Sequence, residues 1–308
     1  MSDVIAPAPP GAWRRLRHNP IAMGSLILFV VLVYFAIDGP RWFKYDPQST
    51  TASQFESPSA VHPFGTDING RDVLSRVIQG ARISLIVGAC GAFVSFLIGT
   101  AYGMISGYFG GRLDELMMRV LDVLYGIPRL LLIIIAVFVF DPPLRVWLAA
   151  NKWILPQVDL VAYSRIILLI ITLGLNEWLS LARIVRGQVL SLKQQQFVLA
   201  ARALGQSHAR IIIRHLLPNL MGVITVYLTL TVPQVILDES FLSFLGLGIQ
   251  APQASWGTLL SDGANVINPV KSYWWLLLFP ALAMSLTLIA LNFLGDGLRD
   301  ALDPRQRR

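Results

Sequence analysis

The run IAMGSLILFVVLVYFAI, residues 21–37, carries no charge and is long enough as a helix to cross a bilayer. Five further apolar stretches follow, at 83–106, 116–140, 165–184, 220–245 and 273–294. Backbone in hydrocarbon has no water to bond, so each stretch must satisfy its own N–H and C=O groups as a helix. The expected fold is therefore an all-α integral membrane protein with six transmembrane helices. Composition agrees, with 55% hydrophobic and only 14% charged residues, where a soluble domain carries about a quarter charged.

Six crossings put both termini on one side, and the cations say which. The tail before residue 21, the 107–119 and 183–218 connections and the C-terminal tail hold 15 Lys and Arg, against 9 in 38–82, 141–165 and 246–272. The positive-inside rule places both termini in the cytoplasm of a multi-pass protein. Arg14, Arg15 and Arg17 precede the first run and no small-residue cleavage pattern follows it, so it reads as an uncleaved signal anchor. The chain divides into a cytoplasmic tail (1–20, with a mobile APAPPGA segment), a first span (21–37), an extracytoplasmic loop (38–82), a five-helix core (83–297) and a cytoplasmic tail (298–308).

The net charge of +7 could suggest nucleic acid, but the cations sit between apolar runs and form no basic stripe interleaved with aromatics. The single cysteine, Cys90, excludes an internal disulfide and reads as a small buried residue.

Within 190–218, the stretch FVLAARALGQSHARIIIRHLLPN is cationic yet flanked by spans. A helix here puts Phe197, Ala200, Ala201 and Leu204 on one face, with alanines that permit close approach of another surface. Gly205 supplies a break, Ser207 can cap a second helix, and Pro218 suits the first turn of the next span. In the second helix Ala209, Ile212, Ile213 and Leu216 form an apolar stripe opposite Arg210 and Arg214. Periodicity alone leaves two readings: a surface gripped by a moving partner, or a connector resting on lipid headgroups.

The run AARALG (200–205), followed by HLLP (215–218), resembles the coupling-helix signature of ABC importer membrane subunits. Longer stretches extend the resemblance from about residue 62 to 305: HPFGTDINGRDVLSRVIQGARISLIVG, ARIVRGQVLSLKQQQFVLAARALG, ESFLSFLGLG, SWGTLLSDGAN and LNFLGDGLRDALDPR. They are similar to the dipeptide, oligopeptide and nickel permease group, and most of all to its oligopeptide C-type subunit. The resemblance implies a type I importer fold in a bacterial inner membrane, a homologous second permease subunit, two cytoplasmic ATPases, an extracytoplasmic binding protein and a peptide or peptide-like substrate. It makes Phe197, Leu199, Ala200, Ala201, Arg202, Ala203, Leu204, Gly205, Arg210 and Arg214 the residues that meet an ATPase. Leu199 stands where the signature has a glutamate, which removes a carboxylate that could pair with Arg202.

No catalytic or metal site is expected. GTDINGRD (65–72) spaces its glycines like a phosphate loop, but Arg71-Asp72 stands where Lys-Ser/Thr is required. Asp67, Asn69 and Asp72 depart from the order of a calcium loop, and the four histidines have no zinc spacing. A turn is the expected structure there. No cofactor is expected in this chain; the resemblance implies that ATP and Mg²⁺ are bound by the partner ATPases.

Charges inside spans are costly and point to function. Arg119 and Asp122 are expected to pair at i,i+3. Arg129 has no such neighbour, and faces a subunit interface or water path unless its span begins later. Asp238 and Glu239 lie late in the fifth span, about 100° apart on a helix. With Phe241, Gly246 and Gly248 they are candidates for a path or gate; a position at the outer interface is the alternative. A self-sufficient ion-driven transporter or a membrane scaffold are the competing functional classes.

Overall fold

The computed structural model describes residues 12–42, 45–151, 153, 159–267 and 271–302. APAPPG (6–11) and most of the C-terminal tail lie outside them. The elements are α1 (Ala12–His18), α2 (Pro20–Trp42), α3 (Val73–Phe109), α4 (Gly111–Tyr125), α5 (Arg129–Ala150), α6 (Ser164–Leu192), α7 (Gln196–Ala203), α8 (His208–Ile211), a π turn (Ile212–Leu216), α9 (Leu217–Phe244), α10 (Trp256–Asn265) and α11 (Trp275–Leu302). Among the described residues six helical segments are long and apolar enough to cross a membrane.

The count of six agrees with the sequence, but several boundaries move. The second span begins at Val73 rather than 83, because Asp72 caps it by accepting the Ser75 N–H at 2.8 Å. At 37 residues α3 is about 55 Å long and outruns the roughly 30 Å hydrocarbon core. The 116–140 stretch is not one helix. Gly126 caps α4 and Pro128 precedes α5, so the apolar span runs from Arg129 to Ala150 and includes Pro142 and Pro143. The unforeseen α1 packs Leu16 beside Ala22 and Ala301, and Asn19 caps α2 by accepting the Ile21 and Ala22 N–H groups.

The long centre of the molecule is the α3–α6 seam. Every fourth residue of α3 from Gly99 to Gly107 is glycine, and the α6 backbone lies directly against them. A Cβ at Gly103 would stand 2.5 Å from the Ala182 carbonyl, and one at Gly99 would stand 2.9 Å from Leu181 Cβ. In lipid there is little hydrophobic force between helices, so close backbone approach of this kind is what binds them. Val185 and Val189 of α6 continue the seam towards the α7 end. Cys90 is exposed, contrary to expectation, on a face of α3 that the seam does not use.

At the opposite end, residues 45–72 form an ordered cap. Phe55 stacks on Tyr273 and Phe64 on Phe279, with ring centroids 4.2 and 3.9 Å apart. The GTDINGRD segment is the expected turn: Asp67 accepts the Asn69 and Arg71 N–H groups and pairs with Arg71 and Arg76 at 2.7 and 2.6 Å. Its carboxylate is thus held by arginines. The capping box of Ser255 and Thr258 starts α10 beside this cap.

Candidate coupling surface and charge cluster

The end of α7 explains how Gly205 works. Its φ of +71° is left-handed, its N–H bonds Arg202 O at 2.9 Å, and Gln206 N–H bonds Ala201 O at 3.1 Å. That pair of bonds is a Schellman turn, which closes α7 and redirects the chain. Nothing lies within 4 Å of a Cβ placed there, so the glycine is required by backbone angle alone.

Only part of the expected α7 stripe faces outward. Val198 and Ala201 are buried against the bundle, whereas Phe197, Leu199 and Leu204 are 39, 50 and 80% exposed, and Ala200 and Ala203 are exposed beside them. The sequence grouped Ala201 with the outward face; a short helix seated on its own bundle turns that residue inward. Arg202 lies over the Tyr108 ring at 4.9 Å, and the Tyr108 hydroxyl meets His208 Nδ1 at 2.9 Å. Arg202 therefore has an aromatic partner on α3 in place of the missing carboxylate at 199. Lys193 Nζ donates to Gly107 O at 2.7 Å, tying the approach to α7 to the same end of α3.

The second helix differs more. Ser207 occupies the cap position with extended backbone angles, but its side chain makes no capping bond. The buried residues are Ile211 and Leu216, five apart, while Ala209 and Ile213 are exposed. The π turn adds a residue per turn, so the stripe drawn at 3.6 residues per turn is rotated off the core. Pro218 follows directly, where its missing N–H has no α-helical bond to forfeit, and the chain runs on into α9 without a break. Arg210 and Arg214 are exposed and make no ion pair among the described residues.

Asp114 at the start of α4 anchors that helix. Arg186 Nε and Nη2 donate to its two oxygens at 2.6 Å, and Ser106 Oγ donates as well. The Arg186 hydrogen bond holds the Asp114 carboxyl below the usual carboxylate range. Further along, Arg119 and Asp122 are not partners: Arg119 reaches Glu115 at 3.6 Å and Asp122 accepts from Arg183 at 2.7 Å. Asp122 points towards α6, out of reach of its i−3 neighbour.

A second charge cluster joins three spans. Arg129, the first residue of α5, donates to Glu177 Oε1 at 2.8 Å and to Asp238 Oδ1 at 2.6 Å. The sequence left Arg129 without a partner and offered a later start of its span as one alternative; the break at Gly126–Pro128 makes Arg129 that start, facing α6 and α9. Glu177 was missed, although an acid within the apolar run of 165–184 is the signal that should have marked it. A cavity of about 290 Å³ opens between Tyr125, Arg129, Asn176, Glu177 and Ser180.

The adjacent acids of α9 face different neighbours, as their angular separation requires. Asp238 joins Arg129, and Glu239, 0% exposed, accepts from Ser84 at 3.0 Å and Ser243 at 2.7 Å. Both are buried among neighbouring helices. Glu239 is enclosed and lines no open space within this chain. Gly246, with φ +75°, ends α9 in a second Schellman turn, and Gly248 packs against Ser243 so closely that a Cβ would stand 2.2 Å from its Oγ. Gly248 is thus buried too, which leaves Phe241 and Gly246 as the exposed members of the expected gate.

Residues 99–308 match the family described as binding-protein-dependent transport system inner membrane component. The chain belongs to that family. Residues 11–58 also match the N-terminal transmembrane domain of oligopeptide transport permease C. The dipeptide transport system permease protein DppC of Bacillus subtilis is 47% identical over 96% of this chain and 86% of its own length. The oligopeptide transport system permease protein OppC of Haemophilus influenzae is 45% identical over 96% and 88%. An inward-facing structure of the MetNI methionine ABC transporter superposes with a TM-score of 0.52 over 75% of this chain and 98% of the transporter chain, at 16% identity. That match shows the fold, a type I ABC permease. Family membership and six apolar helices make the chain a multi-pass inner-membrane component of a binding-protein-dependent transport system.

Proposed function

We propose that this chain is one of two homologous permease subunits of an ATP-driven peptide importer, and that α7 transmits the motion of a cytoplasmic ATPase to the spans. The dipeptide and oligopeptide names of the relatives support the substrate class. The coupling role rests on one observation: α7 stands on the end of α3 with Phe197, Leu199, Ala200, Ala203 and Leu204 exposed on a rigidly seated helix. A helix held by Val198, Ala201 and the Tyr108 contacts passes displacement into α3 and α6 rather than yielding locally.

In this reading both termini and α7 are cytoplasmic, two ATPases carry ATP and Mg²⁺, and a binding protein delivers peptide to the capped end. Arg210 and Arg214 offer cations to the ATPase surface. The test is thiol cross-linking from Ala203→Cys, in a chain with Cys90 replaced, to single cysteines in the partner ATPase. A cross-link whose yield changes with ATP supports coupling. Absence of a cross-link while residue 203 stays open to soluble reagents favours a lipid-resting connector and an ATPase-independent transporter or scaffold. Other peptide-like substrates or nickel chelates are the alternative cargo, distinguished by uptake assays.

A further inference from the structure

The Arg129 cluster carries an imbalance. Two carboxylates, Glu177 and Asp238, share one guanidinium, and no other cation among the described residues comes within ion-pair distance of either acid. Arg183, six residues on along α6, is occupied: it lies over the Tyr125 ring at 4.4 Å and pairs with Asp122. Glu177 and Asp238 are 8 and 6% exposed, and Asp238 Oδ2 and Asn176 Nδ2 are buried without a hydrogen-bond partner. Glu177 stands near the middle of the 29-residue helix α6, one of the six segments apolar enough to cross a membrane. An uncompensated charge there is unfavourable, and it is relieved either by a proton on one acid or by a cation.

The space for one is present. The cavity reaches Glu177, Asn176 and Ser180 on α6 and the 126–129 break, where the missing helical turn between α4 and α5 leaves the wall open. Arg129 has a side chain 39% exposed and forms the rim. We infer that this cavity is a substrate station on the translocation path that takes the ammonium group of a passing peptide at Glu177, with Asp238 supplying the second negative charge through Arg129. The inference rests on the peptide-importer reading. An ammonium balances the cluster while it is bound and a proton takes its place when it departs, so the site can hold cargo weakly and release it. Arg129 contributes by position: bound to both acids, it keeps them apart and keeps Glu177 turned to the cavity.

The test uses the assembled importer in nanodiscs, with Cys90 replaced and Ser180→Cys placed in the cavity wall. The alkylation rate of that thiol by a small neutral reagent is followed against trialanine and against N-acetyl-trialanine, with the binding protein omitted; peptide uptake by the same importer is measured with it present. The expected result is protection by trialanine, with the acetylated peptide needing about tenfold higher concentration for equal protection. Glu177→Gln should abolish that difference, and Asp238→Asn should narrow it. Equal protection by the two peptides, or none from either while uptake is intact, overturns the inference and leaves the balancing cation to a neighbouring subunit. If the importer takes up no peptide at all, the parent reading fails first and the station falls with it. Because the acetylation comparison is made without either acid substituted, it decides the matter even if neither acid variant assembles.

Discussion

Arg186 grips Asp114 with two parallel hydrogen bonds of 2.6 Å, joining helices whose contact residues are 72 positions apart. The pair fastens the first turn of α4 to α6, beside the Lys193 bond to Gly107 that leads into α7. A fork of this geometry is stronger than an isolated surface pair.

Asp114→Asn should therefore loosen this end of the bundle, lowering stability by about 1–3 kcal/mol. The sign of the pH effect follows from the depressed carboxyl of Asp114. Its contribution is fully present above the unfolded carboxylate value of about 3.9 and is lost as pH falls through the lower folded value. Thermal unfolding of the purified complex measured against pH should show a steeper acid loss for the parent chain than for Asp114→Asn. Equal slopes would remove the role assigned to this pair.

Gly103→Ala tests the α3–α6 seam. The added carbon meets the Ala182 carbonyl at 2.5 Å, a backbone atom that cannot step aside. A loss of about 1–3 kcal/mol is expected from forced separation of the helices. Gly187→Ala, also helical but with nothing within 4 Å of the new Cβ, should be neutral or stabilising by roughly 0.5–1 kcal/mol. Detergent melting curves of the two variants would separate close packing from glycine content.

Gly205→Ala keeps its surroundings empty but forces a residue with Cβ into φ +71°. The local cost is about 1–2 kcal/mol, enough to reopen the turn without unfolding the spans. Leu204→Glu instead leaves the turn intact and puts a charge on a side chain that is 80% exposed. Both should lower peptide-stimulated ATP hydrolysis while leaving membrane insertion normal. If Leu204→Glu hydrolyses ATP at the parent rate in response to peptide, α7 is not the contact surface.

Arg129→Met leaves Glu177 and Asp238 facing one another without a cation, and should destabilise the assembled chain by about 3–5 kcal/mol. Adding Glu177→Gln and Asp238→Asn to the same chain should recover most of the loss, because the buried charges go with the lost partner. Lack of recovery would show that Arg129 acts through packing.

The number of spans, their membrane setting and the family were legible in the sequence because each depends on local quantities: run length, composition and unbroken strings of residues. The place of α7 and its glycine turn was legible for the same reason. Two kinds of information were not. The period of a helix is invisible when a π turn changes it, so Ile211 joins Leu216 in the core while Ala209 and Ile213, expected there from 3.6 residues per turn, are exposed. The helix break at Gly126–Pro128 was likewise read through, so the start of α5 at Arg129 stood only as an alternative.

Partners were the larger gap. Arg129 meets residues 48 and 109 positions away, and Ser84 meets Glu239 across 155. From the sequence, the acids and arginine could be recognised as costly in a membrane, since that cost depends only on residue type and depth. Which opposite charge answers each one, and that one carboxylate is left over, depends on how the spans are rotated and how closely they approach. The glycine seam of α3 and the break before α5 set that rotation and approach, so the charge balance was decided by tertiary structure alone.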